Sequence, residues 1–127
     1  MGRAGAAPAQ VAAFDEPFAP TPLGGPIVAL TAIDLDEDGL ADLAWLPLGG
    51  AALVVRLNRG DGTFGPPHAH ALSAPAHALA VGDLDGDGRP DPLVAQTSFA
   101  PSAPPQHRLS ALWNGGPTPG GRLALTE

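Results

Sequence analysis

The sequence contains no cysteine, no lysine and no tyrosine among its 127 residues. Without cysteine, the chain has no disulfide framework and no thiol chemistry. Its six basic residues are all arginine and oppose 13 acidic residues, so the formal net charge is −7. Because no basic patch is available for phosphate groups, we expect no nucleic-acid partner.

Long apolar runs are missing as well. No stretch of about 18 consecutive apolar residues occurs, so we expect no membrane-spanning helix. The first eight residues lack the apolar core of about 7–15 residues that a signal peptide requires, so we expect no intact signal peptide in this sequence. Abundant glycine (17) and proline (16), together with 44% hydrophobic residues, favour many short strands joined by tight turns.

Two acidic stretches share one pattern, D-x-D-x-D-G-x-x-D. The first begins at Asp34 and the second at Asp83, so that matched positions lie 49 residues apart. The aspartates of the two patterns are eight of the 13 acidic residues, and most of the net charge therefore belongs to these two loops. The constant spacing predicts a structural repeat with one loop in each copy.

This spacing suits calcium, a hard cation that takes about six to eight oxygen ligands at roughly 2.3–2.6 Å. Alternate aspartates in a curled loop aim short carboxylates at one point, and the glycine at position six permits the sharp turn. Position seven offers its backbone carbonyl, which explains why its side chain differs between the copies. The predicted calcium ligands are Asp34, Asp36, Asp38, Leu40 and Asp42 in the first loop and Asp83, Asp85, Asp87, Arg89 and Asp91 in the second.

The loops do not continue as EF-hands. An EF-hand needs a glutamate at position twelve and helices on both sides, whereas Trp45 and Val94 occupy that position. The flanking residues are short β-type runs without helical periodicity. The competing interpretation is a pair of solvated acidic turns, since Asp and Gly are common turn residues; the repetition in register favours metal binding.

The first repeat is predicted over residues 26–74. Its apolar runs predict strands over residues 27–33, 43–46, 52–57 and 68–72. The acidic loop joins the first two strands. Turn residues over 58–62 precede Thr63-Phe64, and nearby prolines give the last strand the character of an edge.

The second repeat is predicted over residues 75–127. Matching strands are expected over residues 77–81, 93–95, 108–113 and 122–125. A proline-rich connection over 98–106 and a turn over 114–116 separate the later strands. Residues 1–25, rich in Ala, Pro and Gly, are expected to be irregular apart from a stray strand near residues 11–14, which could complete a neighbouring subunit's sheet by strand addition.

Four strands in about 50 residues are typical of a β-propeller blade. The predicted fold class is therefore all-β, with two four-stranded antiparallel blades and a calcium loop between strands one and two of each.

The residues of the second loop, read with the turn of the first repeat, resemble a known family. Ala80–Asp91 has the order A-V-G-D-L-D-G-D-G-R-P-D, and Leu57–Pro67 reads L-N-R-G-D-G-T-F-G-P-P. Both resemble the FG-GAP/VCBS repeats, which build the propellers of integrin α subunits and of many secreted bacterial proteins. The resemblance covers roughly residues 26–127.

The resemblance implies one Ca²⁺ in the first hairpin loop of each blade, two sites in all, and work outside the cytosol or at the cell surface. It also implies roles in adhesion, scaffolding or carbohydrate-related proteins. Family propellers typically carry about seven blades, whereas two cannot close a ring. Exposed blade faces and strand edges then predict self-assembly of several copies into a ring or filament, a piece of a longer propeller, or docking onto a partner.

The functional expectation is a non-enzymatic, calcium-stabilised module for extracellular assembly, adhesion or scaffolding. A glycan-binding accessory domain of a carbohydrate-active enzyme is the alternative, with a glycan or a protein as ligand. No nucleophile elbow or acid–base constellation is present. The tripeptide Arg59-Gly60-Asp61 spells an integrin-binding motif, but a hairpin turn explains the same residues.

Overall fold

The computed structural model describes residues 23–119 and 122–127, and these residues form β-strands, turns and loops without a helix. The predicted stray strand near residues 11–14 lies outside the described residues. Within them, no helix is long and apolar enough to cross a membrane.

The first repeat forms a four-stranded antiparallel sheet whose strands follow chain order. They are β1 (Ile27–Ile33), β2 (Asp42–Pro47), β3 (Ala52–Arg56) and β4 (His68–Ala71). All four predicted strands are confirmed. Burial alternates along β1 and β3, as expected where one face of a strand packs on a core.

The second repeat differs from the prediction. Strands β5 (Ala76–Gly82), β6 (Asp91–Ala100) and β7 (Ala103–Ala111) form a three-stranded antiparallel sheet. Strands β8 (Trp113–Pro117) and β9 (Leu123–Thr126) pair with each other in a separate two-stranded sheet. The predicted second four-stranded sheet is therefore wrong for the described residues, because β9 pairs with β8 and not with β7.

The proline-rich connection predicted over 98–106 is also wrong. These residues end β6 and begin β7, forming the tip of a long hairpin. The strands tolerate Pro104 and Pro105 because the register shifts between Ser98 and Ala100, and because β7 pairs only with β6 among the described strands. Proline is accepted at such bulges and edges, where no ladder N–H is needed.

The turn predicted over 114–116 lies inside β8. Gly116 has a φ of +87°, and the pairing of β8 with β9 shifts register between Asn114 and Pro117. The turn-forming residues thus produce a bulge within a strand, since a left-handed glycine serves either structure.

The two repeats share one hydrophobic core. The first repeat contributes Leu35, Ala44, Leu46, Leu53, Val55 and Leu72, and the second contributes Ala76, Val94, Leu112 and Leu123. One face of each main sheet therefore packs against the other repeat. This junction leaves the opposite face of each sheet without a partner repeat in the described part of the chain.

Candidate metal centres

Both acidic loops bring four carboxylates together. In the first loop, between β1 and β2, one carboxylate oxygen from each of four aspartates lies within 4.8 Å of the others: Asp34, Asp36, Asp38 and Asp42. In the second loop, between β5 and β6, the same holds for Asp83, Asp85, Asp87 and Asp91. These are all eight predicted carboxylates, and each cluster could hold a metal ion.

Left-handed backbone conformations curl each loop. Gly39 and Gly88, at position six, have φ angles of +86° and +88°, as the sequence predicts. Position four is also left-handed, with Gly86 at +78° and Glu37 at +64°. Residues with a side chain are strained in this left-handed conformation. Glu37 therefore adopts a strained backbone conformation in the first loop, whereas Gly86 adopts the same conformation without strain in the second.

The carboxylates at positions one and five also organise the backbone. Asp34 accepts hydrogen bonds from the N–H groups of Asp38 (3.2 Å) and Gly39 (2.8 Å). At position seven, the N–H groups of Leu40 and Arg89 donate to the position-five carboxylates at 2.9 and 2.8 Å. Both loops are therefore curled by their own hydrogen bonds. The backbone carbonyls of Leu40 and Arg89 stay predicted ligands.

These bonds affect ionisation. Burial acts to raise the pKa of Asp34, but the N–H groups of Gly39 and Asp38 outweigh it and lower the pKa below its usual value. The Arg89 N–H group is the main cause that lowers the pKa of Asp87. The backbone thus favours the charged form of these two carboxylates.

Asp36 has the opposite environment. Burial is the main cause that raises its pKa to about 7, and the neighbouring carboxylates of Asp38 and Asp42 add to the effect. Its Oδ1 atom is buried and has no hydrogen-bond partner among the described residues. A cation beside this atom would relieve both the repulsion and the lost hydration. In the second loop, burial and the Asp87 carboxylate raise the pKa of Asp85.

The aspartate at position nine anchors each loop to the sheet. Asp42 and Asp91 are completely buried. Asp42 accepts hydrogen bonds at 2.8 Å from the N–H groups of Leu35 and Asn58, one on each carboxylate oxygen. Asp91 accepts equivalent bonds at 2.9 Å from Leu84 and Asn114. These buried charges are therefore held by paired backbone donors, as buried carboxylates require.

Two asparagines that were not among the predicted site residues complete this network. The Asn58 side chain donates to the Ala41 carbonyl, and that of Asn114 donates to the Pro90 carbonyl, each at 2.9 Å. Each side-chain oxygen accepts an N–H group two residues later, at 2.8 Å. The signal was present in the sequence, because an asparagine follows the third predicted strand in both repeats.

The second repeat also bonds to the first loop. The Asn114 side chain donates to the Leu35 carbonyl at 2.8 Å, in addition to its bond within its own repeat. Arg89 forms an ion pair with Glu37, with Nε and Oε2 2.8 Å apart. Because both side chains of this pair are substantially exposed, it is a weak contact, whereas the Asn114 bond is buried.

The Arg59-Gly60-Asp61 stretch forms a tight turn. Asn58 and Phe64 form a β-bridge across it, and the Arg59 N–H group donates to the Thr63 carbonyl at 3.0 Å. The Asp61 carboxylate accepts the N–H and hydroxyl groups of Thr63, which lower its pKa. The hairpin-turn interpretation therefore accounts for these residues.

The fold and the paired loops define the class: an all-β repeat protein with one four-carboxylate loop in each repeat. Residues 34–94 match the family model described as FG-GAP-like repeat. The resemblance predicted from sequence is therefore confirmed over this span. Comparisons with curated proteins and with solved structures gave no match.

We predict that Asn114→Ala lowers the free energy of unfolding more than Asn58→Ala does. Both variants leave one carbonyl of their own loop without its partner, but only the first also removes the buried bond to Leu35. The expected additional loss is about 1–3 kcal/mol. Denaturant titrations of the two variants, run side by side with the unmodified protein, measure it. An equal loss in both would show that the Leu35 bond contributes nothing.

We also predict a pH-dependent stability difference between Asp36→Asn and the unmodified protein in metal-free buffer. The folded-state pKa of Asp36 is raised to about 7. The free energy of unfolding therefore receives the full contribution of the protonated Asp36 side chain below about pH 4, and this contribution is lost as the pH rises through 7. Asp36→Asn should therefore be the more stable protein at pH 8, and its advantage should shrink towards pH 5. Thermal unfolding in EDTA tests this, with Asp61→Asn, an exposed carboxylate with a lowered pKa, as control. A constant difference across this range would contradict it.

Proposed function

We propose that this chain is a non-enzymatic, calcium-stabilised β-repeat module that works outside the cytosol in adhesion, scaffolding or assembly. The observation that carries the proposal is the pair of four-carboxylate clusters at matching positions of two repeats. The FG-GAP-like match over residues 34–94 includes both clusters. Its partners would be further repeats of the same type, including other copies of this chain.

Calcium suits the donor set of both loops. All candidate side-chain donors are carboxylate oxygens, which favour hard cations such as Ca²⁺, Mg²⁺ and Mn²⁺ over the softer metals that prefer thiolate or imidazole. Calcium further tolerates irregular coordination, whereas magnesium demands a near-ideal octahedron. The Oδ1 atom of Asp36 is buried and has no hydrogen-bond partner among the described residues, so it is available as a ligand for the ion.

A structural role follows from how the carboxylates are held. Eight acidic groups lie in two clusters and oppose folding by mutual repulsion, while two Ca²⁺ ions would reduce the formal charge from −7 to −3. The ion would thus stabilise the hairpin loops that join β1 to β2 and β5 to β6. We expect a Kd on the order of 10⁻⁵–10⁻³ M, the range of sensor and extracellular calcium sites.

We predict that calcium raises the melting temperature and that EDTA lowers it. At 10 mM free Ca²⁺ (about ten to a thousand times the expected Kd), the stabilisation amounts to about 1–4 kcal/mol per site. Asp36→Asn and Asp85→Asn should each remove one of two sites in a calorimetric titration. Equal concentrations of Mg²⁺ serve as the ionic control. An unchanged melting temperature in EDTA would rule out the structural role.

Glycan binding is the alternative function, and one aromatic residue favours it. Trp113 is 46% exposed, whereas Trp45 is only 2% exposed. A solvent-facing indole can stack on a sugar ring. We prefer assembly, because the exposed Trp113 belongs to a larger apolar surface of the second repeat that also exposes Leu84 and Leu109.

The glycan alternative predicts a glycan-array signal that is lost on Trp113→Ala and retained on Phe99→Ala, since Phe99 is another exposed aromatic residue on a different part of the second sheet. Retention of the signal in Trp113→Ala would contradict a role for this indole. The assembly proposal predicts no signal in the unmodified protein.

A further inference from the structure

The Asp–Asn network fixes which residues of the two repeats are equivalent. Asp42 corresponds to Asp91 and Asn58 to Asn114, because they make the same hydrogen bonds. Residues at equal distances along the chain from these aspartates and asparagines are therefore equivalent too. Three pairs of equivalent apolar residues follow, with the residue of the first repeat given first: Leu35 and Leu84, Leu53 and Leu109, and Leu57 and Trp113.

Equivalent positions differ sharply in exposure. Leu35 and Leu53 are completely buried, whereas Leu84 is 48% and Leu109 is 70% exposed. Leu57 packs against the core, whereas Trp113 is 46% exposed. All three first-repeat residues are covered at the junction with the second repeat. The second repeat presents the same apolar face, which we call the trailing face (Leu84, Leu109 and Trp113), to solvent.

The first repeat exposes the opposite type of face. Val28 and Leu30 on β1 are 39% and 53% exposed. Leu30 pairs with Trp45 and Trp45 pairs with Val54, so these side chains share a face of the sheet. Trp45 and Val54 also line an open cleft of about 630 Å³. We call this the leading face (Val28, Leu30, Trp45 and Val54).

The leading face of the first repeat is equivalent to a surface of the second repeat, and that surface is buried against the first repeat at the junction. Leu79 and Val94, the equivalents of Leu30 and Trp45, pack into the shared core at the junction. The described part of the chain therefore contains one buried junction and one unmatched copy of each side of that junction. Among residues 23–119 and 122–127, seven large hydrophobic side chains are exposed, and six of them are Val28, Leu30, Leu48 beside the cleft, Leu84, Leu109 and Trp113.

We infer that a second copy of this chain docks head to tail, with its leading face on the trailing face of the first. The inference rests on the assembly part of the proposed function and not on calcium. The internal junction also supplies a polar contact to repeat. Asn114 uses its amide for its own loop and for Leu35 of the preceding repeat. Asn58, which donates to Ala41 alone among the described bonds, is positioned to donate to the Leu84 carbonyl of the neighbouring copy.

The net charge of the chain opposes this contact between copies. Each copy carries a formal charge of −7, so copies repel each other at low ionic strength. The Arg89–Glu37 pair of the internal junction has no equivalent between copies, because Leu40 and Gly86 occupy the matching positions. Apolar burial must therefore drive association, and added salt or bound cations should strengthen it.

The test compares self-association of the unmodified chain with that of Leu109→Arg and Leu30→Asp, by sedimentation velocity from 1 to 500 µM (about three decades, on the scale of typical affinities). Self-association is measured once in calcium and once in EDTA with high salt, which screens the repulsion between copies. Association in both buffers would support the docking proposal whether or not calcium binds. Phe99→Arg is the matched control, since Phe99 is 78% exposed but lies in the hairpin extension that has no counterpart in the first repeat. Thermal unfolding confirms that each variant is folded.

We expect concentration-dependent association of the unmodified chain and of Phe99→Arg, with at least tenfold weaker association in each of the other two variants. Mixing Leu109→Arg with Leu30→Asp should restore a dimer, because each variant retains the face that the other lacks. A chain that stays monomeric in both buffers would overturn the proposal. So would a defect in Leu109→Arg alone, because two trailing faces would then pair with each other, or a mixture that fails to dimerise.

Discussion

The hydrogen bonds of a buried aspartate hold each repeat together. Asp42 and Asp91 lie at the start of β2 and β6 with no solvent exposure. Each receives one N–H group from its own acidic loop and another from an asparagine, Asn58 for Asp42 and Asn114 for Asp91. A buried carboxylate is tolerated only with such donors. The loop, the first hairpin and the segment that contains the asparagine are therefore positioned by one side chain.

This constraint explains why the loops keep their shape while their surroundings differ. The backbone bonds that curl the two loops agree within a few tenths of an ångström, including the contacts of Asp34 and Asp83 with glycine N–H groups at 2.8 Å. The rest of the second repeat is rearranged, with a longer hairpin and a separate two-stranded sheet. Local hydrogen bonds thus define the site, and the strands beyond it vary.

Much of this arrangement could be predicted from the sequence because its physics is local. The turn glycines, the alternating aspartates and the apolar runs of the first repeat each act within a few residues, and β1 to β4 are found where the pattern places them. The contact between Asn114 and Leu35 joins residues 79 positions apart. No local pattern indicates such a bond, although the matched asparagines after the third predicted strands are a signal of the hydrogen bonds to the buried aspartates.

The errors in the second repeat have a physical cause too. Gly115 and Gly116 have the composition of a turn, yet a glycine with positive φ serves equally well in a strand bulge. Pro104 and Pro105 suggest a loop, but an edge strand needs no donor from them on its open side. In both places the local residues allow two structures, and pairing with a distant strand decides between them.

The junction between repeats gives two loops of matching sequence different environments. The first loop lies under the second repeat, and Asp34 and Asp36 are partly buried, whereas Asp83, Asp85 and Asp87 are exposed. Burial strengthens every electrostatic interaction in the loop, both the repulsion among its carboxylates and the attraction to a cation. A shared ligand pattern therefore does not imply a shared affinity. Covering the trailing face in the same way would move the second loop towards the environment of the first, and cation binding at that loop would then be energetically linked to the proposed assembly.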